Sequence, residues 1–178
     1  MIDSPLAKLA RDVPGVRLLT GATDLEHYGR DWTRRWVPAP LAIALPTSID
    51  EVQQIARWAS EHRIGLVPSG GRTGLSGGAV AANGELVVSF ERMNKVLNFN
   101  AVDRTLTLQP GVVLETVQRT AESQGLIYPV DFGARGSCAI GGTIATNAGG
   151  VRGLRHGMTR QWIAGLKGVP ASGAQRGL

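Results

Sequence analysis

Two glycine-rich segments constrain this chain more than any other feature of its sequence. The first reads PSGGRTGLSGG over residues 68–78, and the second spans residues 131–153 with the stretches SCAIGGT and TNAGG. Because glycine has no Cβ, it permits positive φ and leaves no side chain in the way of a close neighbour. Glycines clustered in this way indicate a backbone packed closely against something.

Size and composition limit the chain to one ordered domain, or one domain with a short leader. It has 178 residues, of which 43% are hydrophobic, so it can build a core and is not a disordered tail. A single cysteine, Cys138, excludes an internal disulfide framework and favours a reducing compartment. No apolar run approaches a membrane span, and residues 1–20 lack a secretory signal. We therefore expect a cytoplasmic location.

The pattern of apolar residues predicts a mixture of helices and strands. A helix is expected at residues 5–11, a second one after the capping box that begins at Ser48, and a third around residues 113–121. Most of the region 126–153 is expected to be loop. Short strands are predicted at residues 41–45, 64–67, 86–90, 96–100 and 105–109. This order predicts an α+β fold with a mixed sheet, in which the first two strands are parallel because a helix connects them.

Pro38 and Pro40 mark a boundary near the start of the chain. We predict that residues 1–36 form an N-terminal leader. The main domain is then predicted to span residues 37–178.

The first glycine segment has the composition of an anion-binding loop, and three phosphate-binding arrangements compete for it. A P-loop requires a Lys-Ser/Thr pair after its glycines, and none follows here. A Rossmann fingerprint requires a helix at the last glycine, whereas residues 79–84 are typical of a turn into a strand. The third arrangement is a loop whose N–H groups wrap a pyrophosphate without a helix dipole. A flexible surface loop is the plain alternative.

The second glycine segment carries few charges, which suits a backbone packed against a flat, extended ligand. Ile140 offers apolar contact, while Thr143 and Asn147 offer hydrogen bonds. A net charge of +5 suits an anionic cofactor as well as a nucleic acid. Aromatic residues make up only 5% of the chain, so the stacking platforms of an RNA-binding domain are not expected. No metal-ligand spacing is present, and no metal is expected.

Together these segments resemble the FAD-binding domain of the vanillyl-alcohol-oxidase, or PCMH-type, flavoprotein superfamily. The resemblance rests on PSGGRTGLSGG at 68–78, YPVDF at 128–132, IGGTIATNAGG at 140–150 and RHGMT at 155–159. Within the superfamily, the chain is most similar to the branch of the glycolate oxidase subunit, D-lactate dehydrogenase and D-2-hydroxyglutarate dehydrogenase.

The resemblance implies two α+β subdomains with mixed sheets and FAD between them. By matched position, the first segment would hold the pyrophosphate through Ser69, Gly70, Gly71, Arg72, Thr73, Gly74, Ser76 and Gly77. The rest of the cofactor would be lined by Pro129, Asp131, Ser137, Ile140, Gly141, Gly142, Thr143, Asn147, Ala148, Gly149 and Gly150. Relatives with covalently attached FAD carry a histidine where this loop has Arg72. Arginine cannot form that bond, so the resemblance implies FAD held without a covalent link.

The resemblance also implies a second lobe that supplies the basic substrate-binding residues and the catalytic histidine. The tail at residues 167–175 departs from the apolar strand and tight turn of the family, so we expect a domain that is incomplete at its C-terminus. The implied activity is oxidation of a 2-hydroxy acid, such as D-2-hydroxyglutarate, D-lactate or glycolate, by hydride transfer to FAD. Neither a catalytic residue nor the electron acceptor is assigned. A non-catalytic FAD- or nucleotide-binding module is the alternative.

Overall fold

The computed structural model describes residues 4–177, and its first structural unit is a four-stranded sheet. The strands are β1 (Arg17–Leu19), β2 (Ala42–Leu45), β3 (Leu66–Ser69) and β4 (Leu86–Ser89), arranged in the order β1-β2-β4-β3. β4 pairs in parallel with both β2 and β3, and β1 pairs antiparallel with β2. The predicted parallel direction of β2 and β3 is confirmed, with β4 inserted between them.

Three helices cover the two faces of this sheet. They are α1 (Pro5–Asp12), α2 (Ala22–Tyr28) and α3 (Ile49–His62). Ala42 and Ala44 of β2 share a core cluster with residues of α1 and α3, whereas Ile43 and Leu45 share one with Tyr28 of α2. Because both faces of β2 are buried, its sequence is apolar throughout and does not alternate.

The capping signal predicted for α3 is present at its N-terminus. The Ser48 hydroxyl accepts a hydrogen bond from the Glu51 amide at 3.2 Å. The Glu51 carboxylate accepts one from the amide of Thr47 at 2.6 Å, one residue earlier than a capping box requires. At the other end Arg63 has a φ of 55°, the left-handed conformation that ends many helices.

The described part of the predicted leader packs into the first unit. β1 forms a ladder with β2, and Leu9 of α1 is fully buried in the same core cluster as Ile55 of α3. Residues 4–36 therefore contribute one strand and two helices to this unit.

The second unit is an antiparallel hairpin with two helices. Its strands are β5 (Val96–Asn100) and β6 (Thr105–Leu108), and its helices are α4 (Leu114–Glu122) and α5 (Ile140–Ala145). Val112, Val117 and Ile140 form a buried cluster, against which Leu106 and Leu108 of β6 pack. The strands and α4 match the prediction, and the α+β class with mixed sheets is confirmed.

Helix α5 corrects the expectation that most of residues 126–153 form loop. Ile140 and Ile144, four residues apart, both contact the cluster of the second unit, so burial stabilises the helix. Two of its six residues are Gly141 and Gly142, which disfavour helix by about 1 kcal/mol each relative to alanine. That low propensity concealed the helix in the sequence.

The remaining elements are short. They are α6 (Gly153–His156), a 3₁₀ helix (Thr159–Trp162), β7 (Lys167–Gly168) and β8 (Arg176–Gly177). β7 pairs antiparallel with β8, and Pro170 lies between the two strands and outside their ladder. The carbonyl of Gly173 accepts hydrogen bonds from Gln53 and Arg57, so this tail packs on α3. Among residues 4–177, no helix is long and apolar enough to cross a membrane.

Candidate functional site

The first glycine segment follows β3 directly, at the edge of the sheet where the three parallel strands end. Ligands of open parallel sheets bind outside this edge. Residues 70–85 contain no helix, so the Rossmann arrangement is excluded. Thr73 is partly exposed, and Gly74, Leu75 and Ser76 form an exposed tip.

The two glycine segments contact each other through their backbones. A Cβ added to Gly71 would overlap the carbonyl oxygen of Ser137 and lie 2.8 Å from the Cα of Cys138. A Cβ added to Gly70 would lie 2.9 Å from the Cβ of Ala139. The structure thus brings together two segments that are more than sixty residues apart in the chain, and only glycine fits at Gly71.

The glycines of the site divide into two groups. Gly141 packs on Pro110, whose Cβ would be 2.9 Å from an added Cβ, and Gly150 packs on the backbone of Asp131. Gly74, Gly78 and Gly142 have no atom within 4 Å of an added Cβ. Chain packing therefore requires glycine at Gly141, Gly150 and Gly71. Beside Gly74, Gly78 and Gly142, in contrast, the space next to the Cα atom is not filled by the chain.

Most side chains predicted to line the cofactor are already engaged by the protein. Asp131 forms ion pairs with Arg135 at 3.2 Å and Arg152 at 3.7 Å. The buried Thr143 hydroxyl donates to the Ile140 carbonyl within α5 at 2.8 Å. Asn147, with a φ of 48°, accepts from the Arg160 amide at 2.9 Å.

Four further predicted positions are packed into the chain. The side chains of Pro129 and Ile140 are buried. The carbonyl of Ala148 accepts the Thr159 hydroxyl at 2.7 Å, and an added Cβ at Gly149 would lie 2.8 Å from the Met158 sulfur. Ser137, in contrast, is exposed beside Gly71. This segment consequently offers mainly its backbone to a ligand.

Ser69 is the buried polar group of the first segment. It is fully buried, and its hydroxyl has no hydrogen-bond partner among the described residues. Ser89 is its pairing partner on the neighbouring strand β4, and the buried Ser89 hydroxyl also has no hydrogen-bond partner among the described residues. Since an unsatisfied buried hydroxyl costs about 1–3 kcal/mol, a polar ligand atom that reached this end of the sheet would stabilise the pair.

Arg72 holds its guanidinium against helix α2. Its φ is 54°, and its Cζ atom lies 4.7 Å from the centre of the Tyr28 ring. One terminal nitrogen is 2.9 Å from Nε2 of His27, and another donates to the Gly70 carbonyl at 3.3 Å. Burial lowers the pKa of Arg72, and burial together with the Arg72 charge lowers that of His27. No carboxylate in the described chain forms an ion pair with Arg72.

Two groups beside the loop were not predicted as site residues. Tyr28 donates to the Glu91 carboxylate at 2.5 Å, and burial raises the Tyr28 pKa to about 12. Asp31 is buried and accepts the amide of Gly77 at 3.1 Å. An isolated Asp or Tyr far from the motif carries no periodic signal, so only the fold reveals these contacts. No group of three His, Cys, Asp or Glu side chains within residues 4–177 could hold a metal ion.

A comparison with protein families matches residues 40–177 to the FAD binding domain. The chain belongs to this family. Its relatives include D-2-hydroxyglutarate dehydrogenase of Xanthomonas citri, 66% identical over 97% of this chain and 37% of the relative. Glycolate oxidase subunit GlcD of Bacillus subtilis is 40% identical over 82% of this chain and 31% of the relative.

Solved structures show the same fold. Alkyldihydroxyacetonephosphate synthase matches with a TM-score of 0.86 at 19% identity, over 99% of this chain and 38% of that protein. The match to the FAD binding domain confirms the family resemblance read from the sequence. The chain spans about a third of the length of the curated relatives it matches.

Alanine substitutions distinguish the two groups of glycines. Gly71→Ala should lower the free energy of unfolding by about 1–3 kcal/mol, because the new Cβ would overlap the backbone of Ser137 and one of the two segments would have to move. Gly74→Ala, the matched control, should change it by less than about 0.5 kcal/mol, because its surroundings are open. Urea unfolding of both variants checks this, and equal losses would contradict the division.

Proposed function

We propose that this chain binds FAD at the junction of its two glycine segments, as part of a flavoprotein that oxidises a 2-hydroxy acid. The observation that carries the proposal is the backbone contact between Gly71 and Ser137, which joins both segments of an FAD-binding family member into one site. Relatives named D-2-hydroxyglutarate dehydrogenase and glycolate oxidase subunit support this substrate class, with D-2-hydroxyglutarate as the first candidate and glycolate as the second. D-lactate is a further candidate that the family resemblance implies.

The residues present fit FAD. The exposed tip and the open Cα surfaces of Gly74 and Gly78 leave room for a pyrophosphate beside backbone amides. The buried hydroxyl of Ser69 would gain the partner that the protein does not provide. In the second segment, Gly142 presents an open backbone on which an extended part of the cofactor would lie. A net charge of +5 favours an anionic ligand.

FAD, when bound, supplies the redox chemistry by accepting a hydride from the hydroxyl-bearing carbon of the substrate. The contribution of this chain is to bind and orient the cofactor. Arg72 would add positive charge close to the phosphate groups, because no carboxylate of the described chain forms an ion pair with it. Two of the three histidines are engaged by the protein, His27 with Arg72 and His62 with the Trp58 carbonyl, and neither is proposed as catalytic.

We further propose that FAD is held without a covalent bond, because Arg72 occupies the position of the attaching histidine. Acid precipitation of the FAD-loaded protein should release all yellow colour into the supernatant. His27, the histidine nearest to this position, provides the control: His27→Ala should give the same complete release. Colour that stays in the denatured wild-type pellet would disprove a non-covalent link, and its loss in His27→Ala would then identify the attachment site.

Binding and turnover should be separable in this chain. The match covers about a third of the 2-hydroxy-acid dehydrogenase relatives, so groups that clamp a carboxylate and accept the hydroxyl proton are expected outside it. Positioning of that kind can lower a reaction barrier by roughly 7–11 kcal/mol. We predict that the isolated chain, loaded with FAD, shows no bleaching of the flavin absorbance with D-2-hydroxyglutarate, D-lactate or glycolate under anaerobic conditions.

Dithionite, which reduces bound flavin without a substrate site, is the positive control for this experiment. Rapid bleaching by any of the three acids would show that residues 1–178 contain the substrate site. Retention of FAD without bleaching also fits the second candidate, a non-catalytic FAD-binding module. To distinguish that candidate, the remaining part of the Xanthomonas citri relative is added as a separate chain and the measurement is repeated. Bleaching would then favour the 2-hydroxy-acid oxidoreductase over the non-catalytic module.

A further inference from the structure

Asp31 is a buried carboxylate in the segment that follows α2. It is 4% exposed, and both of its oxygen atoms accept hydrogen bonds. One oxygen accepts from the Thr33 amide at 2.9 Å and from the Thr33 hydroxyl at 2.7 Å. The other accepts from the amide of Gly77, 46 residues away, at 3.1 Å. Asp31 thus connects its own turn to the far end of the first glycine loop.

Gly77 is held on a second side by Trp36. Its φ is 80°, a conformation that favours glycine, and an added Cβ would lie 3.3 Å from the Trp36 ring. The other end of the loop is fixed where Ser69 ends β3 and where Gly71 meets Ser137. The stretch between these anchors, which includes the open Gly74, is left to face a ligand.

The charge of Asp31 suits this anchoring role. Burial acts to raise its pKa, but the hydrogen bonds from Thr33 and Gly77 outweigh it, and the pKa lies below its usual range. Asp31 is therefore ionised at neutral pH and acts only as an acceptor. Because the Gly77 amide is committed to this carboxylate, the phosphate groups must be met by other amides of the loop.

We propose that Asp31 is a positioning residue for FAD, which fixes the Gly77 end of the glycine loop in the conformation that receives the pyrophosphate. The proposal rests on the proposed FAD site and extends it to a residue outside both glycine segments. Asp31 acts through the loop and does not itself contact the cofactor. A buried hydrogen bond to a charged group is among the stronger single contacts in a protein, so its loss should be measurable in binding.

The test compares three variants of the full chain. Asp31→Ala removes both sets of contacts. Asp31→Asn keeps one carbonyl oxygen for Gly77. Its NH2 group can donate to the Thr33 hydroxyl but cannot accept from the Thr33 amide, so that hydrogen bond is lost. Thr33→Val, the matched control, removes one hydrogen bond to Asp31 and leaves the Gly77 contact. For each protein, FAD affinity is measured by flavin fluorescence, and exchange of the Gly77 amide by NMR without FAD.

We expect Asp31→Ala to weaken FAD binding roughly tenfold or more and Thr33→Val to stay within about threefold of wild type. Asp31→Asn should weaken binding less than Asp31→Ala does, because it keeps an acceptor for Gly77. Gly77 amide exchange should accelerate at least about tenfold in Asp31→Ala and little in the other two. Should Asp31→Ala fail to fold, the wild-type protein still tests the contact. Slower exchange of the Gly77 amide than of the exposed Gly74 amide in the same loop supports it, and equal exchange of the two overturns it.

Three results would overturn the proposal: unchanged affinity in Asp31→Ala, equal weakening in Asp31→Ala and Thr33→Val, or Asp31→Asn no better than Asp31→Ala. Wild-type protein that binds no FAD would overturn the proposed function instead. In that case the exchange rate of Gly77 would still decide whether Asp31 holds the loop.

Discussion

The contact between the backbones at Gly71 and Ser137 is the constraint on which the rest of the site depends. It joins a loop at the end of the parallel sheet to a segment that leads into α5. Any side chain at Gly71 would separate the two, and the surfaces that face a ligand would no longer meet. Glycine here serves packing of chain on chain, whereas glycine at Gly74 or Gly142 leaves space open.

Around this contact, the protein satisfies most polar side chains of the site by itself. Asp131, Thr143 and Asn147 are all bonded within the chain, and Asp31 holds Gly77. Three groups are left for a ligand: the backbone of the exposed tip, the Ser69 hydroxyl and the Arg72 charge. Among the described residues, the Ser69 hydroxyl has no hydrogen-bond partner and Arg72 forms no ion pair. In the proposed FAD site, an extended anion would be met mainly by backbone groups, which costs little side-chain entropy on binding.

Elements with a strong periodic or capping signal could be predicted from the sequence. Helix α3 follows from Ser48 and the spacing of Ile55, Ala56 and Ala59, and its observed N-cap is Ser48. Helix α5 could not be predicted, because Gly141 and Gly142 hide it and only burial of Ile140 and Ile144 stabilises it. Strand β1 could not be predicted either, because three residues are too few to show an alternating pattern. It is defined by its pairing with β2.

The candidate site could be located but not resolved from the sequence. The density of glycines identified both segments, because glycine content can be read directly from the sequence. It did not separate the packed Gly71 from the open Gly74, because that difference lies in which distant atoms approach. The contact between Asp31 and Gly77 likewise depends on a fold that brings residues 31 and 77 together.

The most direct test of the account compares stabilisation of the chain by FAD and by riboflavin, which keeps the flavin ring but lacks the pyrophosphate and adenosine. With FAD at 100 times its dissociation constant, the free energy of unfolding in urea should rise by about 2.7 kcal/mol. Riboflavin at the same concentration should give a clearly smaller rise, because the glycine loop would have no pyrophosphate to hold. Absence of stabilisation by FAD, or equal stabilisation by riboflavin, would contradict a site centred on that loop.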